Sequence, residues 1–365
     1  MGLTDDTTFD ALGRWPGVLG RLLAGGDLAG EEARAVFGEI LRGDATPAQI
    51  AAFVTALRMK GETSDEMAGF VRAMLEHAEP LGVPGDLLDT CGTGGDRSSS
   101  INVSTIAAFV AAGAGARVCK HGGRAATSIA GSADVLEALG VVIDLGPEGV
   151  RRCIDEAGMG FCFAPRFHPA MRFAVPVRRE LGVPTVFNFL GPLANPGRAR
   201  FQVVGVSDPA MVDKMIGVLA MNGSRRAMVV HGADNLDELS TTGPTTVVEL
   251  LDTDDAAGAA ASLDSRLRRF TVDAADFGLP RVGLEDLRGS DAATNAVIVG
   301  EVLAGGKGPH RDIVVLNAAA GLTVAGLADD MAGGIERAAA AIDDGSALRV
   351  LQSLIHVSQE CARPG

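Results

Sequence analysis

The apolar pattern of this chain changes period once, near residue 80, and that change restricts the fold more than any other feature. Before it, apolar residues recur at helical spacing. Ala33, Val36, Phe37, Ile40 and Leu41 form one stripe, and Ile50, Phe53, Val54 and Leu57 form a second. Thr46-Pro47 places a capping side chain ahead of a proline at the first helical position, and Gln49 completes a capping box. Gly61 ends that helix, and Thr63 or Ser64 opens the next, with Met67, Phe70, Val71 and Met74 on one face. With Leu19, Leu22 and Leu23 ahead of them, residues up to about 80 are expected to form four short helices.

After Pro80–Asp86, short apolar runs alternate with helical segments. The runs at 87–88, 117–119, 141–143, 161–163, 201–206 and 227–230 read as strands, with helices expected at 102–114, 132–139 and 148–157. This alternation predicts a mostly parallel sheet with covering helices. Segments 244–250 and 266–272 are expected to add antiparallel strands, and 292–303, 313–326, 331–342 and 346–359 to be helical. The fold class is therefore α/β with a small all-α N-terminal domain.

Composition narrows the partners. The chain has 365 residues and a net charge of −14, which repels phosphate backbones and anionic lipids, so nucleic acid and membrane are excluded as expected partners. The lysines number four, Lys60, Lys120, Lys214 and Lys307. Five cysteines without a CxxC pair argue against disulfides or zinc and for a reducing cytosol. Met1–Asp10 lacks the basic and apolar regions of a signal peptide, and the apolar stretch Ile106–Ala116 is too short to span a bilayer, so a cytoplasmic location is expected.

Four clusters carry candidate chemistry. In the first, a strand runs into Asp89-Thr90-Cys91-Gly92-Thr93-Gly94-Gly95-Asp96, and Ser100, Asn102, Ser104 and Thr105 follow at a helix start. Glycines let backbone N–H groups reach an anion, and the helix start adds free donors, so this segment reads as a phosphate cradle. It matches neither the Walker nor the GxGxxG pattern. In the second, Lys120-His121-Gly122-Gly123-Arg124 packs cations around two glycines, either for a second phosphate group or as a solvated turn. Ser132 is either a helix cap or a further phosphate donor. In the third, Arg166, His168, Arg172, Arg178 and Arg179 surround Pro169 and Pro176. An arginine there could hold a carboxylate or merely lie in a surface ion pair, and His168 could simply cap a helix. In the fourth, adjacent Asp237 and Glu238 follow a strand and a glycine turn, which suits Mg²⁺ shared with a phosphate substrate or a solvated acidic turn.

Taken together, GTGGD at 92–96, NVST at 102–105, KHGGR at 120–124, GSADVLEALG at 131–140, FAPRFHPAMR at 163–172, FNFLGPLANP at 187–196 and LDE at 236–238 resemble the anthranilate phosphoribosyltransferase family over nearly the whole chain. The resemblance implies a nucleoside phosphorylase/anthranilate phosphoribosyltransferase-like fold. A helical domain, 1–85, would be joined through a helical segment near 175–200 to an α/β domain, 86–365, usually in a homodimer formed through the helical part. It also implies transfer of phosphoribose from phosphoribosyl pyrophosphate to the anthranilate amine with release of pyrophosphate, the second step from chorismate to tryptophan. The implied donor-binding residues are Gly92, Gly95, Asp96, Ser100, Asn102, Val103, Ser104, Thr105, Lys120, Gly122, Gly123, Arg124, Ala125, Ser128 and Ser132. Lys120 and Asp96 are the implied catalytic residues, and Ser104, Asp237 and Glu238 the Mg²⁺ positions. The implied acceptor contacts are Gly92, His121, Gly123, His168 and Arg178.

The chain departs from the family pattern at three points. Gly123 replaces the Asn of KHGNR, Asn235 replaces the Gly of DGLDE, and Arg97 stands where Gly is frequent. Asn tolerates a positive φ, so the turn at 235 is expected to survive. Gly123 leaves open a paralogue using another aromatic amine or acid. A pyrimidine-nucleoside phosphorylase shares the fold but not the unbroken donor motifs.

Overall fold

The computed structural model describes residues 5–96, 98–125, 129–252 and 262–363. Five helices open the chain: α1 (Asp5–Ala11), α2 (Arg14–Leu23), α3 (Gly30–Arg42), α4 (Pro47–Lys60) and α5 (Ser64–Glu76). Thr46 and Gln49 form the expected box, with Gln49 N–H donating to Thr46 Oγ1 at 3.3 Å and Thr46 N–H to Gln49 Oε1 at 2.8 Å. Thr63 and Glu66 repeat it at the start of α5 (3.2 and 2.9 Å). Helix α1 adds one to the four expected. Its sequence DDTTFDA has a single large apolar residue, Phe9, which packs edge-on against Trp15 at 5.6 Å.

The sheet contains β1 (Leu88–Gly92), β2 (Val118–Gly122), β3 (Met159–Phe163), β4 (Phe201–Gly205), β5 (Arg226–Gly232), β6 (Thr245–Leu250) and β7 (Leu267–Val272). Its order is β3-β2-β1-β4-β5-β6-β7. Pairing is parallel from β3 to β5, and β6 and β7 add antiparallel, as expected. The expected strand at 141–143 is absent. Val141 N–H bonds the carbonyl of Leu136 and Val142 N–H bonds Ser358 Oγ, so this run packs against helices, with Val141 and Ile143 buried, without entering a ladder.

The remaining helices are α6 (Val103–Gly113), α7 (Ser132–Ala138), α8 (Pro147–Ala157), α9 (Ala164–Phe167), α10 (Val175–Leu181), α11 (Phe187–Leu190), α12 (Val212–Met221), α13 (Ala292–Leu303), α14 (Pro309–Val324), α15 (Met331–Asp343) and α16 (Ser346–Cys361). One apolar cluster joins α6, α7, α8 and α13–α16 to the β1–β3 half of the sheet. A second joins the N-terminal helices, α10, α11 and α12 to the opposite face through Val204, Val229 and Val248. Burying both faces accounts for the continuous apolar strands.

Candidate functional site

The strand order reverses between β1 and β4, so the loops leaving their carboxyl ends open a crevice of the kind in which α/β sheets hold ligands. A cavity of about 410 Å³ lies there. Gly92, Gly95, Asp96, Ser100, Asn102, Val103, Ser104, Thr105, Lys120, His121, Gly122, Gly123, Arg124, Ala125, Ser132, Arg178, Asp237 and Glu238 all line it. Ser128 and Arg97 fall outside the described residues.

The loop after β1 turns at Gly94 (φ 68) and Gly95 (φ 83). Gly92 serves a different need from the close anion approach expected of the glycines. A Cβ on it would lie 2.1 Å from Asp237 Oδ2, and one on Gly205 would lie 1.6 Å from the Asp237 carbonyl oxygen. These two strand-end glycines admit the Asp237 segment over the sheet edge. Gly94 N–H then donates to Asp237 Oδ2 at 2.6 Å, and Ser104 N–H to Glu238 Oε1 at 3.0 Å. Asn235 reaches φ 65, so the turn that presents this pair survives the loss of the family's glycine.

Lys120 is 2% exposed. Its Nζ donates to the Thr90 carbonyl at 2.5 Å and approaches Ser104 Oγ at 3.5 Å. One buried cation, a hydroxyl and two carboxylates thus converge beside the glycine loop. Burial pushes the Asp237 and Glu238 carboxyls up. Asp96 repels Asp237 and Asp237 repels Glu238, while Lys120 pulls Glu238 back down. Crowded hard-oxygen donors of this kind fit a divalent cation that also binds phosphate oxygens.

The other wall holds His121 and Arg178. Burial, with the neighbouring His168 ring second, holds the His121 pKa down to about 3, so the ring is neutral at pH 7. Its Nδ1 lies 3.1 Å from the Gly191 carbonyl, which puts the proton on Nδ1 and leaves buried Nε2 without a partner among the described residues. Arg178 stacks over Phe187, 5.3 Å from the ring centroid. No carboxylate among the described residues pairs with it, and burial lowers its pKa.

Two expected contacts are placed differently. His168 is buried behind His121, with ring centroids 5.1 Å apart and its Nε2 2.8 Å from the Ala194 carbonyl, and it does not line the cavity. Arg124 lines it, but its guanidinium pairs with Asp134 and Glu137, each at 2.8 Å. Phe187, Asn188, Gly191, Ser290 and Asn295 also line the cavity without an expected role. The first three lie in the 187–196 motif, whereas the last two belong to no sequence motif.

Models of the glycosyl transferase family match the chain twice, the helical bundle domain at residues 16–78 and the a/b domain at 84–348. The anthranilate phosphoribosyltransferase of Roseiflexus castenholzii is 50% identical over 339 residues, 93% of this chain and 96% of that one. The crystal structure of the Thermus thermophilus anthranilate phosphoribosyltransferase superposes with TM-score 0.86 at 40% identity, covering 94% of this chain and 99% of the other. The Saccharomyces cerevisiae enzyme in complex with PRPP and Mg superposes with TM-score 0.84 at 28% identity, covering 95% and 98%. With the glycine loop, the basic turn and the paired carboxylates assembled at one switch point, and with half its residues shared with such relatives, this chain belongs to the anthranilate phosphoribosyltransferase family.

Proposed function

We propose that this protein transfers the phosphoribosyl group of phosphoribosyl pyrophosphate to the amine of anthranilate. Ribose C1 loses its bond to a pyrophosphate oxygen, the arylamine nitrogen bonds to C1, and one amine proton leaves. This is the second step from chorismate to tryptophan. The observation that carries the reading is the convergence of Lys120, Ser104, Asp237 and Glu238 on the loop after β1. Lys120 and Asp96 face the leaving group, with Lys120 supplying positive charge where negative charge develops. Ser104, Asp237 and Glu238 would hold Mg²⁺, which when bound neutralises pyrophosphate and polarises the breaking bond. Arg178, which pairs with no carboxylate among the described residues, meets the anthranilate carboxylate, and neutral His121 offers Nε2 to an amine N–H. The division into a helical part, 1–85, and a catalytic part, 86–365, belongs to the same proposal and is supported by the separate matches at 16–78 and 84–348. Five free cysteines suit a reducing cytoplasm. No helix among the described residues is long and apolar enough to cross a membrane.

The test is an assay with purified protein, Mg²⁺, phosphoribosyl pyrophosphate and anthranilate. Loss of anthranilate fluorescence and release of pyrophosphate should proceed in step. Donor binding with neither signal would overturn the acceptor assignment, and phosphate-dependent release of thymine from thymidine would revive the phosphorylase reading.

Gly123 bears on acceptor affinity. Its φ lies outside the left-handed region, and among the described residues a Cβ there would meet only Ala164 Cβ at 3.9 Å. Gly123→Asn is therefore expected to fold normally and to regain the family's hydrogen bond, lowering the anthranilate KM by about fivefold, the equivalent of about 1 kcal/mol. Steady-state titration of anthranilate at saturating donor measures this, and an unchanged KM would mean that the site does not use the side chain.

The homodimer is part of the same proposal. Leu19, Leu23, Ala51, Ala52, Ala56 and Met59 line an open apolar groove between α2 and α4, where Leu23 is 78% and Met59 84% exposed. Such exposure on a helical face is costly in a monomer. Leu23→Asp with Met59→Glu is expected to convert a dimer to a monomer in sedimentation velocity. A monomeric wild type at micromolar concentration would contradict the proposal.

A further inference from the structure

Asn295 lies in the second turn of α13, is 3% exposed, and stands 193 residues from Asn102 in sequence. Three hydrogen bonds run in one direction through these two side chains. Ser290 N–H donates to Asn295 Oδ1 at 2.7 Å, Asn295 Nδ2 donates to Asn102 Oδ1 at 2.9 Å, and Asn102 Nδ2 donates to the Ala130 carbonyl at 3.0 Å. Both ends are backbone groups of fixed polarity. An N–H only donates and a carbonyl only accepts, so turning over either carboxamide would set like groups face to face. Aligned hydrogen bonds of this kind also polarise one another.

The relay commits one N–H and one carbonyl lone pair of Asn102. Among the described residues it leaves the second of each for a ligand in the cavity that Asn102 lines. The same C-terminal segment is tied to the glycine loop by its backbone. Ile101 N–H donates to the Leu287 carbonyl at 3.0 Å, and Gly289 N–H to the Ser99 carbonyl at 2.8 Å. The segment before α13 is therefore fixed to the loop, and Asn295 reaches from α13 to the side chain of Asn102.

We infer that Asn295 is a positioning residue for phosphoribosyl pyrophosphate. It fixes which face of the Asn102 carboxamide meets the donor. The inference rests on the donor reading above.

The test uses the full chain with Asn295→Ala, Asn295→Asp, Asn102→Ala and the Asn102→Ala/Asn295→Ala double variant. Donor affinity is read by direct titration with phosphoribosyl pyrophosphate and Mg²⁺, and KM and kcat by steady-state assay. Asn295→Ala is expected to weaken donor binding about tenfold, with the anthranilate KM and kcat within about twofold of wild type. Asn295→Asp keeps the shape but presents an acceptor to Asn102 Oδ1, and should weaken the donor at least as much. In the Asn102→Ala background, Asn295→Ala should add less than about twofold, because it has nothing left to orient. Wild-type donor affinity in both Asn295 variants would overturn the inference. So would an equal effect in both backgrounds, or parallel losses in donor and acceptor KM with a lowered Tm, each of which marks a packing residue. Failure of the wild type to consume anthranilate would strike the function reading alone, since donor titration still reads Asn295.

Discussion

Lys120→Ala is expected to lower kcat/KM by about 10²–10³-fold, the scale seen when one preorganised charge-stabilising donor is removed from a water-poor site. Lys120 is buried in the middle of β2, with Nζ held 2.5 Å from the Thr90 carbonyl and 3.5 Å from Ser104 Oγ. That geometry is set before any substrate arrives, so no reorganisation is needed as negative charge grows on the leaving pyrophosphate. Most of the loss should therefore fall on kcat, with donor affinity weakened by a smaller factor. Comparing kcat with a donor Kd from titration checks this. A loss confined to Kd would assign Lys120 to ground-state binding and leave the leaving-group stabilisation to other groups. The variant also removes the cation that counters burial at Asp89 and Glu238, so a lowered Tm is expected alongside the kinetic effect.

Local rules were legible in the sequence wherever one short segment contains both partners of an interaction. The Thr46–Gln49 box, the glycine turn at 94–95 and the positive φ of Asn235 each follow from residues a few positions apart. Strand order around the switch point was accessible only as alternation, which gives a parallel sheet but not which strand ends face one cavity. The apolar run at 141–143 shows the limit of periodicity. Three apolar residues look alike whether they enter a ladder or pack on helices, and the partner that decides, Ser358, lies 216 residues away. The place of His168 was hidden for a related reason. Its motif places it near the site, but only the fold shows that the His121 ring stands in front of it. Asn295 has no local signature, because its meaning comes wholly from Asn102 and Ser290.

Gly205 is the other position whose role is invisible locally, and Gly205→Ala is expected to lower activity by about 100-fold or more, the cost of a misplacement on the order of 1 Å at a reacting group. Nothing in FQVVG marks its last residue as functional, since a glycine ending a strand usually reads as the start of a turn. Yet a methyl group there would lie 1.6 Å from the Asp237 carbonyl oxygen and 2.3 Å from its carbon. Both are backbone atoms of the segment that presents Asp237 and Glu238, so no side-chain rotation relieves the clash. The segment must lift away from β1 and β4, lengthening the Gly94–Asp237 and Ser104–Glu238 hydrogen bonds together. The overpacking itself should cost about 1–3 kcal/mol of stability. Gly300→Ala is the matched control. It lies inside α13, where an added methyl group would meet nothing within 4 Å among the described residues, and alanine there should stabilise the helix by about 0.5–1 kcal/mol without touching catalysis. The diagnostic readout is Mg²⁺ dependence. If the two carboxylates hold the metal, Gly205→Ala should need far more Mg²⁺ for half-maximal rate while anthranilate KM stays near the wild-type value. An unchanged Mg²⁺ requirement with full activity would show that the Asp237–Glu238 segment does not have to meet the sheet edge as closely as Gly92 and Gly205 allow.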